Sequence, residues 1–231
     1  MHPVSIFNHF FVNVVEKTVK KNRSFIKEVC VQTCEEAVRA QDRGADRIEL
    51  CRRLDLDGLT PERKVIEQTL KSLSIPVKVM IRPRGGNFVY GRNELATMEK
   101  EIDVCKSMGV REVVFGLLTS KGSVDVESSA RLADRASPMI VTFHKAIDAS
   151  NNVMNGLQQL KSITPISSIL SSGAENTALY GSKKIREMIQ RFGSRFNIIA
   201  AGSITEENFG TVYSSIGCKE YHGRKIVGEL T

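Results

Sequence analysis

From residue 25 onward the chain alternates short, β-branched apolar runs with stretches of helical periodicity, and this alternation limits the possible fold more than any other feature. The runs lie at 25–31, 46–50, 77–81, 112–115, 139–143, 166–170, 197–200 and 219–222. Helical patterns fill 33–43, 61–73, 93–108, 125–136, 152–161, 176–191 and 205–216. Strands separated by helices must pair in parallel, with right-handed crossovers. Eight of them favour an α/β architecture closed into a (β/α)8 TIM-like barrel over an open doubly wound sheet. No Gly-x-Gly-x-x-Gly follows the first strand, so no nucleotide cofactor motif supports the open alternative. Thr60-Pro61 reads as an N-cap and first helical residue, and Ser203-Ile204-Thr205-Glu206 as a capping box. Gly44, Gly109 and Gly217 sit where left-handed C-caps are wanted.

Nine residues follow the eighth strand, so the barrel is expected to lack a normal last helix. Residues 1–24 form an extension whose Phe7, Phe10, Phe11, Val14 and Val15 recur at helical spacing. The simplest expectation is an extra amphipathic helix covering the wall left bare by the missing one, with 25–231 as the barrel domain. A partner-binding or membrane-surface helix is the competing use of such a stripe.

The 33 Lys and Arg against 26 Asp and Glu give a formal charge of +7. The extension holds four basic residues and one acidic one; elsewhere the signs are mixed along helices. Nucleic-acid binding wants clustered cations and exposed aromatics, which this pattern lacks. No apolar run approaches the roughly 18 residues of a membrane span. Five cysteines, an odd number, without a basic leader and small-residue cleavage site, point to a reducing compartment.

In such a barrel, ligands bind at the C-terminal ends of the strands. Strand three runs into Ile81-Arg82-Pro83-Arg84-Gly85-Gly86, which puts two permanently charged guanidiniums of equal parity at its tip. They require a negative partner, either internal carboxylates or a bound anion. The other tips carry Glu28 and Cys30, Glu49 and Cys51, Thr142-Phe143-His144-Lys145 with Asp148 beyond, Ser171-Ser172-Gly173, Ala201-Gly202-Ser203, and His222. At least one of Glu28 and Glu49 is expected to neutralise Arg82 and Arg84 in a buried structural network. His144 is either a core histidine satisfied by a carbonyl or a working acid/base. Ser172, Gly202 and Ser203 are either plain turns or anion-binding helix openings. Cys105 and Cys218 read as packing residues. Cys30 and Cys51 lie on adjacent tips with Cys34 one turn further on, and close thiolates suit Cu(I) or zinc. The bland alternative is small buried hydrophobes, since no Cys-x-x-Cys pair is present.

Five stretches in collinear order carry a specific likeness: Glu28-Val29-Cys30-Val31, 44–51 (Gly-Ala-Asp-Arg-Ile-Glu-Leu-Cys), Gly58-Leu59-Thr60-Pro61, 81–86, and Thr142-Phe143-His144-Lys145-Ala146. From about residue 26 onward the chain resembles the CutC copper-homeostasis family. The resemblance implies a cytoplasmic TIM-like barrel, a homo-oligomer, and Cu(I) binding at Cys30 and Cys51, with Cys34 as a further candidate ligand. Three departures stand out: Asp57 replaces the first glycine of a Gly-Gly pair, Ser171 replaces a threonine, and the seventh tip is less glycine-rich. The competing expectation is an enzyme acting on a small anionic metabolite. In that reading Arg82 and Arg84 clamp the anion with Ser172, Gly202 and Ser203, and His144 or Glu49 supplies acid/base chemistry.

Overall fold

A computed structural model describes residues 24–230; the extension helix expected within 1–24 lies outside the described residues. Eight parallel strands close in sequence order. They are β1 (Ile26–Val31), β2 (Arg47–Leu50), β3 (Val77–Met80), β4 (Glu112–Phe115), β5 (Ile140–Phe143), β6 (Ile166–Ser171), β7 (Asn197–Ala201) and β8 (Glu220–His222). Among the described residues seven α-helices surround them: α1 (Cys34–Asp42), α2 (Arg63–Ser72), α3 (Arg92–Ser107), α4 (Val126–Ala136), α5 (Val153–Leu160), α6 (Ser182–Phe192) and α7 (Phe209–Ile216). No helix follows β8 among the described residues. The TIM-like barrel without a normal last helix is therefore present as expected.

Alternation along each strand sorts side chains onto two faces. The outward set, including Val29, Ile48, Val79, Phe115 and Phe143, joins helix residues such as Met98 and Ile102 in one continuous core. Burying each such side chain contributes about 1.5–3 kcal/mol. The inward set is different in kind. The strand register stacks it in tiers of four from alternate strands, the usual filling of such barrels. The lowest tier is Arg47, Glu112, Ser168 and Glu220; the next is Glu28, Lys78, Thr142 and Ile199. Above these come Glu49, Val114, Leu170 and His222, then Cys30, Met80, His144 and Ala201.

The lower two tiers form a buried ion network. Arg47 bonds both Glu28 and Glu220. Lys78 Nζ lies 3.1 Å from Glu28 and 3.6 Å from Glu112, and donates to Thr142 Oγ1 at 2.8 Å. His222 Nδ1 meets Glu28 Oε1 at 2.9 Å. Glu28 thus pairs with cations from β2, β3 and β8 and not with Arg82 or Arg84, correcting the expectation from the tips. A carboxylate with no exposure stays charged only with such company.

Several local expectations shift for visible reasons. Gly44, Gly109 and Gly217 are left-handed, as their positions require. Thr60 does not cap α2; its hydroxyl donates to Glu101 at 2.7 Å and accepts from the Arg82 N–H at 2.8 Å, and α2 opens at Arg63 behind Glu62. The capping box at 203–206 does not form, because Thr205 and Asn208 exchange side-chain bonds in a turn and α7 starts at Phe209. α6 starts at Ser182 and not near 176, since the chain before it turns, with Ala178 N–H donating to the Gly202 carbonyl at 2.9 Å and Gly181 N–H to the Thr177 carbonyl at 3.0 Å. Asp57 has φ 62° and precedes Gly58 at φ 85°. Aspartate is one of the few side chains that tolerates this region.

Replacing Glu28 by Gln leaves Arg47 and Lys78 buried without their shared carboxylate. Urea unfolding of Glu28→Gln is expected to show a loss of about 3–5 kcal/mol, the usual cost of breaking a buried pair. A loss below about 1 kcal/mol would mean the network does not hold the barrel.

Candidate functional site

The C-terminal mouth of the barrel opens into a cavity of about 550 Å³. Its floor is the tier of Glu49, Leu170 and His222; Cys30, Cys51, Met80 and His144 form walls, and Arg82, Phe88, Lys145 and Arg224 lie nearer the rim. The sequence-derived candidates divide here. Cys30, Cys51, Glu49, Arg82, His144 and Ser172 all line the cavity. Cys34, Arg84, Gly202 and Ser203 are not among its lining residues.

The two arginines mainly brace their own loop. Arg82 is 2% exposed, and its terminal nitrogens donate to the carbonyls of Leu56 at 2.7 Å, Gly58 at 3.1 Å and Gly86 at 3.0 Å. Its guanidinium also stacks 4.9 Å from the Phe88 ring centre, leaving only Nε without a partner. Arg84 pairs with Glu94 at the start of α3 and donates to the Asn87 and Val89 carbonyls at 2.9 and 2.7 Å. Carbonyl dipoles and one carboxylate thus supply the negative company that parity and charge demanded. At the sixth tip, Asp148 accepts from the Ser171 hydroxyl, from the Ser172 N–H at 2.8 Å and from the Ala174 N–H at 3.0 Å. Ser172 is further committed through its hydroxyl, to Asp148 at 3.0 Å and the Glu175 carbonyl at 2.7 Å. Gly202, at φ 110°, permits a close approach, since a Cβ there would stand 2.9 Å from that of Ser172 and 3.0 Å from Ala178 N. Ser203 presents its carbonyl to Asn208 at 2.8 Å.

One side of the cavity is soft. Cys30, Cys51, Met80 and Val114 form a separate buried cluster inside the barrel, with Leu54 against it. Left-handed Gly58 lies over them: a Cβ there would meet Cys51 Sγ at 3.3 Å and the Met80 methyl at 3.7 Å. Burial, then the charge of Glu49, pushes the Cys51 thiol well above its ordinary pKa. All five cysteines are free. Cys34, half-buried, opens α1 behind the Thr33 cap.

Below the sulfur atoms, His222 links two carboxylates, with Nδ1 on Glu28 and Nε2 3.8 Å from Glu49. Burial opposes its charge, but Glu49, Cys30 and Glu28 outweigh burial and raise its pKa well above the usual imidazole value. Glu28 goes the other way: burial raises it, and Lys78, Arg47 and His222 more than compensate, holding it well below the carboxylate range. Burial and the Glu28 charge raise Glu49. Donor atoms of Glu28, Glu49 and His222 lie within 4.8 Å of one another, close enough for a hard metal cage. Lys78 and Arg47 already crowd that carboxylate, however, and the imidazolium supplies the cation there.

His144 is built into the opposite wall. Its Nδ1 accepts from the Ala146 N–H at 3.2 Å, so Nε2 carries the hydrogen. The ring packs 5.0 Å from Phe88, and any side chain at Gly116 would come within 2.5 Å of Nδ1. Burial, then the Arg82 charge, lowers its pKa to about 3. It is a neutral hydrogen-bond donor at physiological pH, a poor candidate for taking up a proton. Sequence reasoning missed Arg47, Lys78, Glu220 and Met80. Their signal was strand parity: Lys78 and Met80 alternate with Val77 and Val79 and share the face of Arg82.

The two cavity histidines impose opposite pH dependences. His144 is neutral when folded, so stability falls as pH drops from about 6.5 towards 3, where the unfolded chain binds the extra proton. His222 is charged when folded, so its contribution is full below about 6.5 and declines as pH rises through its raised value. Histidine NMR titration is expected to show His144 uncharged at pH 5 and His222 charged at pH 7. The reverse order would contradict both assignments.

Comparison with known proteins agrees with the geometry. The family model described as the CutC family matches residues 25–227. A human copper homeostasis protein cutC homolog is 38% identical over 198 residues, covering 86% of this chain and 72% of the human protein. A CutC family protein of Parabacteroides distasonis is 37% identical over 206 residues, covering 87% and 84%. A solved CutC structure from Streptococcus agalactiae superposes with a TM-score of 0.82 at 31% identity, covering 87% of this chain and 99% of that one. On its barrel, its mouth and these matches, the chain belongs to the CutC family.

Proposed function

We propose that this chain serves copper homeostasis by binding Cu(I) at Cys30 and Cys51, with the Met80 thioether as an additional donor. The observation that carries the reading is the buried sulfur cluster on the cavity wall: two thiols and a thioether brought together from β1, the residue after β2, and β3. Soft sulfur ligands select Cu(I) over hard cations. Leu54, Val114 and Gly58 close around them and limit water, while the cavity leaves a route for the ion. Copper here is cargo, and the ion network beneath it fixes the walls. Cys34 contributes no ligand in this reading, as it does not line the cavity. Five free cysteines suit a reducing cytoplasm, where Cu(I) is the stable state of the metal and thiols remain available. The homo-oligomer is part of the same reading and rests on the family resemblance.

The acid/base enzyme reading loses support at two points. Arg82 and Arg84 spend most of their donors on their own loop, and His144 is held neutral.

Cu(I) binding must displace the Cys51 proton, which burial holds tightly. Anaerobic titration against a Cu(I) competitor is therefore expected to show affinity rising at least tenfold per pH unit between pH 6 and 8, the minimum for one displaced proton. Cys30→Ser and Cys51→Ser should each weaken binding at least a hundredfold, and Cys34→Ser should leave it unchanged. Equal binding by native protein and the Cys30→Ser/Cys51→Ser variant would overturn the site.

A further inference from the structure

We infer that Leu54, carried on the loop 53–58 between β2 and α2, is a gate over the sulfur cluster, and that this loop must move for Cu(I) to reach Cys51. As a route for copper the inference rests on the reading above; as a moving cover it stands on the burial of the cluster. The two thiols are not equally accessible: Cys30 is 9% exposed and Cys51 0%. The Cys51 thiol donates to the Val31 carbonyl at 3.6 Å, and a Cβ on Gly58 would stand 3.3 Å from its sulfur. Cys51 shares its buried cluster with Cys30, Met80 and Val114, and Leu54 packs against it. Cys30, Met80 and Val114 sit on strands of the closed barrel, where the ladder holds them in place. Of these neighbours only Leu54 and Gly58 belong to a loop. Leu54 also lines the cavity, so one side chain both covers the cluster and meets the space from which an ion arrives.

The loop is built as one piece on a narrow base. Arg52 and Leu59 exchange backbone hydrogen bonds at 2.9 and 2.6 Å below it. Within it, the Leu56 and Gly58 N–H groups both donate to the Arg53 carbonyl, at 2.8 and 3.1 Å. Among the described residues two side chains from outside hold it down. Arg82 donates to the Leu56 and Gly58 carbonyls in its second half, and Gln32 Oε1 accepts from the Leu54 N–H at 3.0 Å in its first. Arg53, Asp55, Leu56 and Asp57 are exposed, so burial adds little to these bonds. Arg53 at φ 53° and Asp57 at φ 62° are left-handed without being glycine, a conformation that persists only where surrounding contacts enforce it. A segment with few apolar contacts and few tethers is where local opening is cheapest. Gln32 is therefore the latch: without its bond the first half of the loop lifts, taking Leu54 with it, while Arg82 keeps the second half seated.

The test is alkylation of the metal-free full chain with N-ethylmaleimide, each cysteine being read separately by peptide mass spectrometry. A thiol under a moving cover reacts in proportion to the population of the open form. Gln32→Ala leaves Leu54 and the whole sulfur cluster in place. It is expected to speed Cys51 alkylation about three- to tenfold, the effect of one lost hydrogen bond on an opening equilibrium. Leu54→Ala should speed it by about tenfold or more. Cys105, 1% exposed within α3, should stay unmodified in both variants and so separates loop opening from unfolding. An unchanged Cys51 rate in Leu54→Ala would overturn the gate. Acceleration in Leu54→Ala without any in Gln32→Ala would make Leu54 a fixed plug and overturn the moving loop. No metal enters these measurements, so the gate and the copper site can fail separately. With Cu(I) exchanged against a chelator, Gln32→Ala should speed uptake and release by the same factor and leave the affinity unchanged, because the loop stays closed most of the time. Uptake at the native rate would overturn the loop as the copper route.

Discussion

The Glu28 carboxylate is the contact on which the rest of the barrel depends. It has no exposure and joins Arg47 of β2, Lys78 of β3 and His222 of β8 at a single point inside the closed sheet. Burying one charge this way is costly; burying it among three complementary ones, with Glu220 and Glu112 satisfying the surplus cations, makes it tolerable. The network also locks register. A one-residue slip of β2 or β3 would turn Arg47 or Lys78 out into the apolar layer under the helices. Strand parity and charge pairing therefore demand the same alignment.

This interior gives the mouth its character. Because His222 is tied to Glu28 from below, it presents a cation to Glu49 and stands beside Cys30 from a fixed position. Above that floor the tiers change from ionic to soft on the β1–β3 side, and to neutral donors around β5. The cavity wall therefore differs from side to side, with sulfur on one and the neutral His144 ring on the other. Their separation follows from strand order, since Cys30 of β1 and His144 just past β5 stand on opposite sides of the eight-stranded barrel.

Much of the fold was legible because the alternation of apolar strands and amphipathic helices admits few closures. The barrel and the strand limits follow from it closely. Helix starts were less legible. Thr60, Thr205 and Ser172 are residues that cap helices, and here each finds a tertiary or loop partner that caps nothing. At the site, five of the tip residues singled out from the sequence, Cys30, Cys51, Glu49, Arg82 and His144, line the cavity. What Arg82 does was hidden, because backbone carbonyls leave no trace in a sequence. Lys78 was hidden because a lysine within a strand ordinarily reads as a solvent-facing residue; its partner in space, Glu28, is fifty residues away. Arg84, Gly202 and Ser203 share the composition of anion sites, but their local turns engage them elsewhere.

The central claim is that copper enters the sulfur wall and not the carboxylate–imidazole floor. X-ray absorption at the copper edge of the Cu(I)-loaded native protein tests this most directly, because sulfur and oxygen or nitrogen scatterers are distinguished without any variant. The expected result is a first shell of two or three sulfur atoms at low coordination number, matching Cys30, Cys51 and Met80. A first shell of oxygen and nitrogen alone would place the metal among Glu28, Glu49 and His222 and contradict the account.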